Sequence, residues 1–280
     1  MTRIIFHALL AAAALASILA PDWSRAQAIY GYYHDLATTL AAPSGTVVAG
    51  TRVPLPTTVS NAGPETAMAP RLLLLADPAA SLVATEGCSE SPAAVLPCRP
   101  ALFLAPGAKA SARFDVRLAP GARGPVVVGI TAVADGVDVA PDTGTSMAVL
   151  EVVGEVELRI TQLARDTFAN GQQVVVVRVE NRGPSATSAL SVPWVATAGG
   201  IPVAVTCTAV GDGACAAVNA TGRLAPGASL IYSFNFPPLS PRLPTMALEV
   251  SAIAADATVT GSDNVLATSW ADVISASGFE

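Results

Sequence analysis

The chain has 280 residues, a formal net charge of −6 and 52 % apolar residues, yet only 5 % aromatics. Length and composition leave room for one or two domains whose cores are small and β-branched, short of the Leu, Glu and Lys of helical bundles. All basic residues but Lys109 are arginine and they form no cluster, which argues against nucleic acid as a partner.

In chain order, the first feature is a targeting segment. Arg3 precedes an apolar run from Ile4 to Ala20, and Ala26-Gln27-Ala28 has the small-x-small form of a cleavage site. The run approaches membrane-spanning length. The cleavage site just downstream favours a signal peptide over residues 1–28, with export to the periplasm, the extracellular space or the cell surface. No later run is long and apolar enough to span a bilayer, so no transmembrane segment is expected after processing.

Residues 29–153 read as one unit. Tyr30, Tyr32 and Tyr33 lead into a strand near Asp35-Leu36, and His34 beside it is expected in solvent at a frayed end. Val47 to Val59 reads as a strand. Pro54 and Pro56 withhold ladder donors and mark it as an edge or a bulge. Asn61-Ala62-Gly63-Pro64 turns the chain, Arg71 to Leu75 is a strand, and Cys88 to Cys98 is loop-like. The Pro106-Gly107 turn follows Leu104-Ala105. After it Ala110, Ala112, Phe114, Val116 and Leu118 alternate with polar residues, the period of a half-buried strand. Val126 to Ala134, a polar loop from Asp135 to Gly144, and Met147 to Val153 complete the unit.

Residues 154–274 restate that order, joined to the first unit by a short link at Gly154 that should limit swivel. Strands are expected at Val156 to Leu163, Val174 to Val179, Ala189 to Val195 and Ile201 to Thr206. Asn181-Arg182-Gly183-Pro184 is the matching turn. Leu224-Ala225-Pro226-Gly227 then precedes the alternation of Leu230, Tyr232, Phe234 and Phe236. Met246 to Ala255 and Val265 to Ile274 close the unit, and residues 275–280 form a tail. A third Leu-Ala-Pro-Gly-Ala at Leu118 comes too soon to mark a domain. The joint spacing is stronger, since Asn61 to Leu104 and Asn181 to Leu224 both span 43 residues with a cysteine pair between them. The expected fold is all-β, two tandem antiparallel β-sandwiches.

Four cysteines in an exported chain read as disulfides. Three connectivities are possible, and pairing within each unit, Cys88 with Cys98 and Cys207 with Cys215, is the simplest. With these residues in place, both units resemble the Ig-like repeat of exported and surface bacterial proteins catalogued as domain of unknown function number eleven. The resemblance rests on Asn61, Gly63, Pro64, Cys88, Cys98, Leu104, Pro106, Gly107 and Asp135. In the second unit it rests on Asn181, Gly183, Pro184, Cys207, Cys215, Leu224, Pro226, Gly227, Asp256, Asp263 and Asn264. It implies an Ig-like fold and carries no reaction. Gly63 and Gly183 are expected at positive φ, Asn61 and Asn181 bonding nearby backbone, and Pro106 and Pro226 presetting turns completed by glycine.

No nucleophile–His–acid set, phosphate loop or zinc motif is present, so no catalytic residue and no cofactor is expected. Calcium is the one metal worth carrying, through Asp135, Asp138 and Asp142 in one loop and Asp256, Asp263 and Asn264 in its counterpart. The expected role is a non-catalytic exported or cell-surface structural or adhesion module meeting a protein or glycan. The alternative is a carbohydrate-binding or calcium-dependent module, with Trp194, Trp270 and the tyrosines as its aromatic candidates.

Overall fold

The computed structural model describes residues 32–83, 95–168, 170–197, 201–216, 221–238 and 245–271. The segment 1–28 expected as a signal peptide, Tyr30, Cys88 and the tail at 275–280 lie outside them. The described chain is all-β apart from one 3-10 turn, Pro141–Gly144.

Leu36–Leu40, Arg52–Asn61, Lys109–Leu118 and Ala80–Val83 form, in that order, an antiparallel sheet. The second sheet runs Thr46–Val48, Thr145–Val153, Gly124–Asp135, Ala67–Ala76 and Val95–Cys98, parallel only at its first pair. Period-two alternation decides what lies between them. Phe114 clusters with Leu72, Leu74 and Ile130, and Val116 and Leu118 with Val126, Val128 and Leu150. Each such fully buried side chain contributes about 1.5–3 kcal/mol through its removal from water.

The same order returns after Gly154. Glu155–Thr167, Gln173–Asn181, Ser229–Phe236 and Ala204–Val210 form one antiparallel sheet, with Thr258–Thr260 added in parallel at its far edge. The facing layer is split in two. Trp194–Thr197, Thr245–Ser251 and Val265–Ala271 form one part, and Gly213–Ala214, Gly222–Leu224, Thr187–Ser191 and Ile253–Ala254 the other. Pro193 sits at the break, its carbonyl accepting from the Ser251 N–H at 2.9 Å. One core built on Val175, Val177, Val179, Leu230, Phe234, Phe236 and Leu248 fills this half, all of its buried members falling between Val156 and Ala254.

Three expectations change. The strand bearing Pro54 and Pro56 is central over Thr57–Asn61, flanked on both sides, and becomes an edge only where Leu36–Leu40 runs out. The Pro56 carbonyl accepts from the Ala41 N–H at 3.0 Å, so both prolines turn their missing donor toward that vacant side. Cys207 lies inside the strand Ala204–Val210, which runs past Thr206, where the expected strand ended. The polar stretch after Asp135 carries the short strand Val137–Asp138, paired in parallel with Tyr33–His34.

Candidate functional site

The turns singled out by sequence form a repeated corner. The Asn61 side-chain amide donates to the Glu65 and Leu104 carbonyls at 2.7 and 2.9 Å, and its oxygen accepts from the Gly63 N–H at 3.0 Å. Asn181 donates to Ser185 and Leu224 at 2.8 and 3.2 Å and accepts from Gly183 at 3.0 Å. Pro106 and Pro226 enter turns closed by Ala108 N–H to Ala105 O and Ala228 N–H to Ala225 O. Gly107 and Gly227 take φ of +76° and +74° there, as a type II turn demands. Gly63 and Gly183 do not adopt positive φ. Their requirement is space: a Cβ at Gly63 would collide with the Asp35 and His34 backbone, and one at Gly183 with Glu157 and Val156. Pro64 and Pro184 are exposed at the outer end of this corner.

His34 is buried, 1 % exposed, not solvated. The parallel pairing of Tyr33–His34 with Val137–Asp138 draws it in, through Val137 N–H to Tyr32 O and Val139 N–H to His34 O, both 2.9 Å. Its Nδ1 has no hydrogen-bond partner. Burial holds its pKa below the usual imidazole value, against the opposing pull of Asp138, Asp135 and Asp35. The sequence signal was the two-residue extended pattern before Leu36, too short to separate from a frayed end.

Five of the six residues proposed for calcium have protein partners. Asp135 pairs with Arg71 at 3.3 Å, and Asp138 accepts from the Ala140 N–H at 3.1 Å. Asp142 is exposed in the 3-10 turn. Asp256 accepts from the Thr187 hydroxyl and from the N–H and hydroxyl of Ser188. Desolvation pushes its pKa up, but those bonds outweigh it and hold the carboxyl below its usual value. Asp263 lies 3.8 Å from Arg159, and Asn264 donates to the Ala252 carbonyl at 3.3 Å. Among the described residues no three acidic, His or Cys side chains converge as a metal ion would need.

Cys207 and Cys215 form a disulfide. Cys98 is disulfide-bonded as well, and its expected partner Cys88 lies outside the described residues. No protein family's sequence profile matches this chain, and neither does any curated protein.

Two features were not anticipated. Arg123 sits half-buried at the join between the halves, donating to Ala122 O at 2.7 Å, Ala186 O at 2.6 Å and Asp256 O at 3.2 Å. Ser185, fully buried, donates to Ala49 O and accepts from the Glu155 N–H, both at 2.9 Å. Gly154 leaves room for the Arg123 guanidinium, which a Cβ would strike. The second feature is an uncharged patch on the outer face of the larger first-half sheet. Register sets Val149 beside Val127, and Met147 beside Gly129 and then Leu75. Met147 and Val149 are more than half exposed. Of the aromatic candidates, the Trp270 side chain and Tyr30 lie outside what is described, and Trp194 is half-buried edge-on against Phe234, 5.8 Å between ring centres. Tyr32 and Tyr33 are exposed on consecutive residues, which in extended chain point to opposite sides.

Proposed function

We propose that this chain is a non-catalytic, exported structural and adhesion module of two Ig-like repeats, 29–153 and 154–274, released by cleavage after residue 28. Its binding work falls to sheet faces and edges, toward a protein or glycan at the cell surface. The observation that carries this reading is the Met147, Val149, Val127 and Leu75 patch, because a soluble domain rarely leaves contiguous apolar strand residues facing water without a partner. The junction supports the structural half of the reading. Arg123 and Ser185 tie the two repeats through main-chain carbonyls, so a ligand bound to one would pull on the other through a defined contact. The disulfide between Cys207 and Cys215 accords with an oxidising compartment.

The test is expression of the full chain in a bacterial host, followed by fractionation and N-terminal sequencing. Export with a mature terminus near Ile29 is expected. The immobilised mature chain is then presented to a glycan array and to a cell-surface protein extract, beside a Met147→Lys/Val149→Lys variant. Capture lost in the variant supports the assignment of the patch. Cytoplasmic retention, or capture unchanged in the variant, overturns it.

A further inference from the structure

The second half exposes a sheet edge that no other described strand covers. Among the described residues Ala204–Val210 pairs only with Ser229–Phe236, and six of its seven residues are exposed. Natural edges are commonly blunted by charge, proline, bulges or short length. Here the sequence Ala204-Val205-Thr206-Cys207-Thr208-Ala209-Val210 has no charge and no proline. The neighbouring strand presents the uncharged Ile231, Ser233 and Asn235 on the outer face, and the first charge on that side is Arg178, one strand further in beside Ile231. Other free edges differ. Ala80–Val83 and Trp194–Thr197 have four residues each, and Thr46–Val48 and Thr258–Thr260 three. Val265–Ala271 is as long but opens on Asp263 and its ion pair with Arg159.

Which backbone groups are free follows from the ladder. The Ala228 carbonyl accepts from the Asn181 N–H, so Leu230, Tyr232 and Phe234 bond toward Gln173–Asn181. Ser229, Ile231, Ser233 and Asn235 therefore bond toward Val210, Thr208, Thr206 and Ala204. Val205, Cys207 and Ala209 are left turning their N–H and C=O groups away from the sheet. That set is centred on Cys207. The side chains are nearly symmetric about the same point, Thr206 matching Thr208 and Val205 matching Ala209.

We propose that Ala204–Val210 pairs antiparallel with the same strand of a second copy of this chain, about a two-fold axis through Cys207. Cys207 then exchanges two backbone hydrogen bonds with its symmetry mate, and each Val205 exchanges two with Ala209 of the other copy. Two five-stranded sheets become one of ten. A second copy is the occupant the observations favour, because the side chains of this strand are nearly symmetric about Cys207, so that small residues meet small residues of matching kind, Thr206 with Thr208 and Val205 with Ala209. The strand itself carries no charged residue, so pairing it with its own copy sets no like charges opposite one another. Pairing also covers Val205 and Ala209, which face the core side but lie open at its margin. The proposal does not rest on the export or adhesion reading.

In this register Thr206 of one copy stands directly opposite Thr208 of the other, at a non-hydrogen-bonded position where side chains approach most closely. The test is sedimentation equilibrium of the mature chain and two variants, with circular dichroism and thermal melting as checks on folding. The wild type is expected as a concentration-dependent dimer. Thr206→Lys/Thr208→Lys sets lysine against lysine and should run at monomer mass with an unchanged fold. Thr206→Lys/Thr208→Glu sets lysine against glutamate and should restore the dimer, an outcome that no partner other than a second antiparallel copy predicts. A wild type that stays monomeric at every soluble concentration overturns the proposal. So does a dimer that survives the double lysine change, or one that the Lys/Glu pair fails to restore.

Discussion

The side-chain amides of Asn61 and Asn181, 120 residues apart, share three hydrogen bonds, and Asn61 adds a fourth from the Asp35 N–H at 3.2 Å. Each donates to the carbonyl four residues on and to the carbonyl 43 residues on, and each accepts from the glycine N–H two residues on. Removing either amide leaves those carbonyls without a donor in a buried corner. At roughly 1–3 kcal/mol for each buried group left unpaired, Asn61→Ala and Asn181→Ala should each cost about 3 kcal/mol. The sites belong to separate cores, so the double variant should lose about the sum. Urea titration measures both. A loss below about 0.5 kcal/mol, the scale of an ordinary surface change, would remove the corner from any structural role.

The glycines of that corner separate two physical demands. Gly107 has φ of +76° and open space around its Cα. Gly107→Ala should therefore cost only the left-handed penalty, about 1–2 kcal/mol. Gly63 has ordinary φ but no space, since a methyl would collide with the Asp35 N–H. Gly63→Ala should lose distinctly more stability than Gly107→Ala, because backbone cannot step aside as a side chain can. Equal losses would sink the distinction.

These glycines also show what sequence patterning can reach. Turn chemistry marked Gly63 and Gly107 alike, since both follow residues that favour turns. Only the approach of the strand at Asp35 distinguishes them, and that is a tertiary fact. The alternation after each Pro-Gly turn did locate buried Phe114, Phe234 and Phe236, because a period of two assigns faces without knowledge of the partner sheet. His34 escaped because two extended residues carry no period. Arg123 escaped because a lone arginine among many surface arginines gives no hint of the carbonyls waiting across the join. The partners of Asp256, Thr187 and Ser188, are 69 and 68 residues away in sequence, which is why that loop read as an open set of oxygens.

Burial of His34 makes the N-terminal strand acid-labile. Its folded pKa is lowered from 6.5, so the unfolded chain binds the proton more readily. Stability is full above about pH 6.5 and falls as pH drops through that value toward the folded pKa. Below the folded pKa the loss levels off. Asp135, Asp138 and Asp35 oppose the shift and limit its size, while Asp256, held below its ordinary range, loses its contribution only in stronger acid. Unfolding free energy followed from pH 7.5 to 5 should decline in the wild type and decline less in His34→Gln. A wild type that gains stability over that interval has the opposite linkage.

Arg123 and Gly154 form a coupled pair whose separate substitutions should not add. The guanidinium occupies the space above Gly154 and from there reaches the Ala186 and Asp256 carbonyls of the second half. Arg123→Ala removes those bonds, worth about 1.5–3 kcal/mol for a charged donor and less here because the side chain is only half-buried. Gly154→Ala leaves ordinary backbone geometry intact, since its φ is not in the left-handed region. Its methyl displaces the guanidinium and so destroys the same bonds by another route. The atoms a methyl there would strike first all belong to Arg123, so once Arg123 is gone the double variant should be little less stable than Arg123→Ala alone. Lysine at 123 has no planar fork to reach several carbonyls at once and should recover only part of the loss. Calorimetry of the four members of the cycle reads this directly, as a coupling energy nearly equal to the smaller single loss. Strict additivity would show that the two residues act apart, and that a methyl at Gly154 does not work by displacing the Arg123 guanidinium.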